Sequence, residues 1–294
     1  MGRREAEAEQ GDGPLAIICG GGTLPFAVAD AVQRRGRRVV LFAVPGATDP
    51  QRVVGYPHHW ATGLGRYGWF RRVSGQEGCR DVVFIGSLVR PALSQLRFDF
   101  GTLRVLPRIA AAFRGGDNHM LSNFTRILEG HGFRVLAAHD VAPEILVPEG
   151  TLGRRVPTGR ENVDIRRGLS VINALGAFDI GQAVVVANNH VLAVEAIEGT
   201  DQMLMRISEL RSAGRIRTAA GTGILIKAPK PNQDRRFDLP SIGPHTVEAA
   251  SRAGLAGIAV VAGGAIIAEP TRVAQAADHA GLFVVGVRAD GTTS

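Results

Sequence analysis

The chain has 294 residues, enough for two modest domains or one large one, and its hydrophobic share of 45% with a mean hydropathy of +0.07 is that of a globular protein. Its formal charge of +7 is spread evenly: 18 basic and 14 acidic side chains lie in residues 1–150, against 16 and 13 in residues 151–294. An excess with no basic arm and no interleaved aromatics excludes the usual nucleic-acid binder and suits an anionic ligand or an anionic membrane surface. Two cysteines, Cys19 and Cys79, make neither a metal spacing nor a disulfide framework, which points to a reducing cytoplasm. No uninterrupted apolar stretch approaches ~18 residues. The longest candidate, Leu255 to Ala268, is broken by Gly257, Gly263 and Gly264.

Residues 1–12 are polar and read as a disordered tail. Residues 13–148 read as an N-terminal Rossmann-like domain. Leu15 to Cys19 is a buried strand that runs into Gly20-Gly-Gly-Thr-Leu-Pro25 and a helix from Phe26 to Arg35. Arg38 to Val44 is a second strand, Gly65 to Gly75 a helix, and Asp81 to Ile85 a third strand. Helices over Leu106 to Arg114 and Asn118 to Glu129 and a strand over Phe133 to Ala137 complete the block. Short apolar runs alternating with helical patterns argue for a parallel sheet with crossover helices.

Residues 149–162 read as a polar linker, and residues 163–294 as a C-terminal mixed α/β domain. Its expected elements are a helix from Ile165 to Leu175, then strands over Gln182 to Ala187 and Val191 to Glu198 around an Asn188-Asn-His190 hairpin turn. A helix from Gln202 to Ser212 follows, capped by Thr200 or Asp201. Gly223 to Lys227 is a strand, and Pro244 opens a helix to Ala253. A strand from Gly257 to Ala262, a helix from Thr271 to Ala280 and a strand from Leu282 to Val287 end the fold.

The chemistry concentrates in one run. Of 34 basic residues only Lys227 and Lys230 are lysine, and both lie in Lys227-Ala-Pro-Lys-Pro-Asn-Gln-Asp-Arg-Arg-Phe-Asp-Leu-Pro-Ser-Ile-Gly243. Lysine acts as a point charge on a phosphate oxygen, and carboxylates such as Asp234 and Asp238 suit a hard cation such as magnesium. The run therefore reads as a site for a metal-bound phosphate. Gly20, Gly21, Gly22, Thr23 and Leu24 join a strand to a helix, where bare amides can approach a phosphate; the alternative is a tight turn alone. The loop is neither Gly-x-Gly-x-x-Gly nor a Walker loop, and no acid ends the second strand, so a nicotinamide cofactor is disfavoured. Glu195 interrupts an apolar strand, so its carboxylate must be paired, metal-bound or protonated. Arg90, after the third strand, can reach an anion or simply start a helix.

These motifs together resemble a known family. The Gly-Gly-Gly-x-Leu-Pro turn, Asp179-Ile-Gly-Gln182, Val194-Glu-Ala-x-Glu-Gly-Thr-Asp201 and the long lysine run appear in order, and the chain from about Leu15 to Val287 is similar to the alphaproteobacterial-type UDP-2,3-diacylglucosamine pyrophosphatases of lipid A biosynthesis. The resemblance implies a magnesium-dependent hydrolase that splits a glycolipid nucleotide into UMP and 2,3-diacylglucosamine 1-phosphate, with water attacking the β-phosphorus. It implies two domains with substrate between them, a homodimer, and transient contact with the cytoplasmic surface of the inner membrane. It places the essential aspartate at Asp238 with Asp234 auxiliary. Gln182, Thr200, Asp201, Gln233 and Arg236, with Arg90 and the glycine turn, are the expected substrate-binding positions, Lys227 and Lys230 are expected to neutralise the diphosphate in catalysis, and Glu195 is expected as a further metal ligand. A nucleotide-sugar transferase or oxidoreductase, and a carrier of nucleotide or glycolipid without turnover, remain open alternatives at this point.

Overall fold

The computed structural model describes residues 13–61, 66–86, 99, 102, 125–230, 235–236 and 239–292. The expected tail over residues 1–12 and the expected helix over Leu106 to Arg114 lie outside these residues. The chain divides into two compact units, Met1–Glu144 with Asp234–Asp238, and Ile145–Gln233 with Leu239–Ser294.

The first unit is built on a five-stranded parallel sheet. Its strands are β1 (Leu15–Cys19), β2 (Val39–Ala43), β3 (His58–Trp60), β4 (Asp81–Ile85) and β5 (Arg134–Leu136), in the order β3-β2-β1-β4-β5. This is the start of a doubly wound, Rossmann-like order, with a switch point between β1 and β4. β1 and β2 are continuous apolar runs because both their faces are covered. Helix α1 (Leu24–Arg34) accepts Pro25 in its first turn and buries Phe26, Val28, Ala29, Ala31 and Val32. The sequence reading missed β3. Its three residues, His-His-Trp, carry no apolar run, and only pairing with β2 makes them a strand. Helix α2 (Pro50–Val53) is a single turn capped by Asp49, whose side chain accepts from the Gln51 amide at 2.8 Å. Helix α3 (Tyr67–Glu77) runs to Gly78 in the left-handed region. Its open amino end is served from afar, since Asp99 accepts from the amides of Gly68 at 3.1 Å and Trp69 at 2.8 Å. Of the helix expected over Asn118 to Glu129, residues 125–129 are described and are helical.

At the start of β4 the Asp81 carboxylate is buried. It accepts from Arg134 Nε at 2.7 Å and Nη2 at 2.9 Å, and from Arg37. One guanidinium fork and a single bond from a second guanidinium thus satisfy one carboxylate in the wall of the core.

The second unit holds a mixed sheet of β6 (Gly150–Thr151), β7 (Ala183–Ala187), β8 (His190–Val194), β9 (Ile224–Lys227), β11 (Gly257–Val261) and β13 (Phe283–Val287). The order is β6-β13-β11-β9-β7-β8. β9, β11 and β13 are parallel, while β6, β7 and β8 join antiparallel. A parallel pair of two-residue strands, β10 (Ser241–Ile242) and β12 (Ile266–Ile267), stands apart. Helix α5 (Gly159–Gly176) buries Ile165, Leu169 and Ile172 against Val184, Val186, Ile224 and Ile226. The opposite face, with Val185, Leu225 and Ile258, packs against α6 (Gly199–Ser212), α7 (Pro244–Arg252) and α8 (Pro270–Ala280). Alternation along β7 and β9 sends successive side chains to the two cores. The first unit also holds a single helical turn, α4 (Ala138–Val141).

Three expectations change here. Residues 149–162 are not devoid of structure: β6 pairs with β13, and Thr158 and Glu161 form a reciprocal cap (Thr158 N to Glu161 Oε2, 2.7 Å) that starts α5 at Gly159. β8 ends at Val194, so Glu195 lies just past the strand instead of inside it. Helix α6 begins at Gly199 with Glu198 at its cap and no side-chain cap bond, so neither Thr200 nor Asp201 caps it. The Thr200 hydroxyl is occupied elsewhere.

Candidate active site

Four positions singled out in the sequence meet in the second unit. Lys227 is the last residue of β9 and is 7% exposed. Its Nζ donates to Thr200 Oγ1 at 3.0 Å and to the Ser241 carbonyl at 2.9 Å. Thr200 Oγ1 in turn donates to Glu195 Oε1 at 2.6 Å, and Glu195 Oε2 accepts from the Gln182 amide at 2.8 Å. The Gln182 carbonyl accepts from the Ala228 amide at 3.0 Å, which closes a ring of contacts around the end of β9. The Glu195 carboxylate is therefore satisfied by a hydroxyl and an amide, with an ammonium one bond further on.

Lys230, three residues after Lys227, meets a different acid. Its Nζ lies 2.5 Å from Asp179 Oδ1. Asp179 sits at φ +58°, in the left-handed region that Asp tolerates better than most residues. Two residues on, Gly181 has φ +53°, and a Cβ there would collide with the Glu195 carbonyl oxygen. The Asp-Ile-Gly-Gln turn thus presses its backbone onto Glu195 while presenting Asp179 to Lys230. Asp201 is apart from this group; it is exposed and 3.6 Å from His245 Nδ1.

In the first unit the glycine turn is shaped by close backbone packing. The Gly20 amide donates to the Ile85 carbonyl at 2.8 Å, and a Cβ on Gly86 would lie 2.7 Å from the Gly21 oxygen. Of the three glycines, only Gly22 has a positive φ. Thr23 occupies the cap of α1 without a side-chain cap bond, and Leu24 opens the helix. Arg236 Nη1 lies 3.3 Å from Glu129 Oε1. Arg90, Gln233, Asp234 and Asp238 lie outside the described residues.

Residues 14–145 match the LpxI N-terminal domain and residues 148–285 match the LpxI C-terminal domain. The chain belongs to the LpxI family. A relative from Caulobacter vibrioides, the UDP-2,3-diacylglucosamine pyrophosphatase LpxI, is 41% identical over 273 residues, which cover 93% of this chain and 97% of that protein. Among solved structures, a nucleoside-diphosphate-sugar epimerase from Pseudomonas aeruginosa is 20% identical, covers 43% of this chain and 33% of its own, and reaches a TM-score of 0.25. A UDP-glucose-4-epimerase from Stenotrophomonas maltophila is 10% identical over 95% of each chain with a TM-score of 0.28. At those scores neither bears on the fold or the activity.

The family match accounts for both units. Among the described residues no group of three or more His, Cys, Asp or Glu side chains could hold a metal ion. Glu195, expected as a ligand, accepts one hydrogen bond on each oxygen, and the chain of donors behind the Thr200 hydroxyl ends in Lys227. Two participants were missed in the sequence. Asp179 was read only as part of a turn, although an Asp two residues before a glycine in a tight turn is a signal for a presented carboxylate. The Ser241 carbonyl carries no side-chain signal at all.

Proposed function

We infer that this chain hydrolyses the diphosphate of UDP-2,3-diacylglucosamine, a step of lipid A biosynthesis, to UMP and 2,3-diacylglucosamine 1-phosphate. One observation carries the reading: 41% identity that spans nearly the full length of both this chain and a relative named for that activity. The strand-end chemistry supports it. A diphosphate diester repels nucleophiles because its oxygens are anionic, and cations held in place beforehand lower that barrier. Lys230 is held by Asp179, and an ammonium has three donors, so it can serve a phosphate oxygen as well.

In this proposal Asp238, within Arg236-Phe-Asp-Leu-Pro240, takes the proton of the attacking water or orients it. The water oxygen bonds to the β-phosphorus, the bond from that phosphorus to the bridging oxygen breaks, and UMP leaves with the bridge. The carboxylates of Asp238 and Asp234 are the hard oxygen donors that magnesium takes, and magnesium, when bound, would neutralise the diphosphate. Gln182, Gln233, Arg90, Arg236 and the turn Gly20–Leu24 are proposed to hold the nucleotide and sugar. The substrate's acyl chains place the work at the cytoplasmic surface of the inner membrane, and a net charge of +7 favours anionic lipid there. The motif resemblance supports a homodimer.

The test is to incubate the full-length protein with UDP-2,3-diacylglucosamine and magnesium in heavy-oxygen water. The expected products are unlabelled UMP and 2,3-diacylglucosamine 1-phosphate carrying the label. Intact substrate overturns the activity, label in UMP overturns attack at the β-phosphorus, and full turnover after chelation overturns the magnesium requirement.

A further inference from the structure

We propose that Thr200 is a positioning residue: its hydroxyl ties Lys227 to Glu195, so that the buried Lys227 ammonium clasps the base of the segment bearing Asp238. The proposal deepens the reading above and rests on it for turnover, although its structural readout needs no substrate.

A threonine hydroxyl has one proton to give and two lone pairs. A carboxylate only accepts and an ammonium only donates. With Glu195 Oε1 at 2.6 Å and Lys227 Nζ at 3.0 Å, the order is fixed as Lys227 to Thr200 to Glu195. Glu195 cannot swing away cheaply, because its other oxygen holds the Gln182 amide at 2.8 Å. The hydroxyl sits in the first turn of α6, where it could have served the helix, yet α6 has no side-chain cap bond. Its hydrogen bonding goes to the lysine and the glutamate instead.

A second proton of Lys227 goes to the Ser241 carbonyl at 2.9 Å. Lys227 ends β9 and Ser241 opens β10. The chain between them carries Lys230, Asp234 and Asp238. The two ends of that stretch therefore meet at a single ammonium, 7% exposed, whose direction Thr200 sets. Charge-assisted hydrogen bonds in so dry a setting are strong and directional. Lys227 and Thr200 then act on the reaction through Asp238, by fixing the two ends of the stretch that carries it.

Thr200→Val keeps the shape and removes the hydroxyl. Loss of one charge-assisted bond should cut kcat about 10- to 100-fold with KM within about threefold, and Thr200→Ser should restore kcat to within about threefold. Hydrogen exchange, read on the full chain without substrate, should quicken at the amides of Ala228, Lys230, Leu239 and Ser241 in the valine variant and not in the serine variant. Lys227→Met, which keeps the stem and drops the ammonium, should quicken the same amides. A raised KM with kcat unchanged would instead make Thr200 a substrate contact and overturns the proposal. So does wild-type exchange in Thr200→Val, or in Lys227→Met should the valine variant fail to fold. If the wild-type chain leaves the substrate intact, the activity reading fails while the exchange comparison still decides the clasp.

Discussion

Among the described residues two strands carry a buried charge, and they carry it at opposite ends. Asp81 opens β4 and Lys227 closes β9. Asp81 is matched by full charges: the guanidinium of Arg134 grips both of its oxygens and Arg37 adds a third contact. Such a group is locked, and its partners lie in the same sheet layer. Lys227 donates to a hydroxyl and a carbonyl, and the acid Glu195 lies one step beyond that hydroxyl. In open α/β sheets ligands gather outside the carboxyl ends of the strands, and β9 ends there among its parallel neighbours β11 and β13. A charge closed off at a strand's start serves stability; a charge at a strand's finish stands where ligands gather.

The sharpest way to test that contrast is to remove one acid from each setting. Asp238→Asn should reduce kcat by about 10³-fold or more, the scale of a lost acid–base group, with no change in the urea midpoint. Asp81→Ala should do the reverse. Removing one partner from a buried ion pair costs about 3–5 kcal/mol, and the lower end is expected because Arg134, 44% exposed, can turn to water. Urea unfolding should show that loss, while kcat/KM per folded molecule stays at the wild-type value. A stability loss in Asp238→Asn equal to that of Asp81→Ala would erase the distinction. Lys230→Ala comes next, with about a 10²-fold drop in kcat, as for a missing preorganised charge at a developing anion. Its effect on stability should be below about 1 kcal/mol, because the Asp179 carboxylate left behind is exposed. A rate within about threefold of wild type would reduce the Lys230–Asp179 pair to an ordinary surface contact.

Much of this contrast was legible in the sequence, and the part that was not has a common cause. Strands such as Leu15–Cys19 and Asp81–Ile85 could be read to the residue because an apolar run between turn signals is a local fact. The two lysines could be singled out because the chain otherwise uses only arginine. What escaped depends on residues far apart in the chain. β3 is a strand only because β2 offers it a partner, and α3 is served at its start by Asp99 from beyond its far end. Thr200 looked like a helix cap from its position, but tertiary contacts with Lys227 and Glu195 claimed its hydroxyl first. Glu195 was legible as a carboxylate in an apolar run, but the Gln182 amide and the Thr200 hydroxyl that hold it were not.

The smallest effect concerns pH, and its sign follows from the Asp81 setting. Burial pushes this carboxyl up, but the hydrogen bonds from Arg134 and Arg37 outweigh that and hold it below its ordinary value of 3.8. In the unfolded chain the same group returns to about 3.9. Near that pH the unfolded state binds more protons than the folded one, so stability rises with pH. The contribution is complete above the unfolded value and is lost as pH falls through the folded one. Glu77, lowered chiefly by its hydrogen bond from His59, and Asp99, where contacts with Thr102, Trp69 and Gly68 outweigh burial, move the same way, so the acid limb of the wild-type curve alone cannot isolate Asp81. The difference between wild type and Asp81→Asn can. That gap, measured by urea unfolding, should be level from about pH 8 to about pH 5 and should close below about pH 4. A gap that stays level, or widens, as the acid limb is descended would mean that the arginines do not favour the charged form of Asp81, and that the locked end of the comparison is held by packing alone.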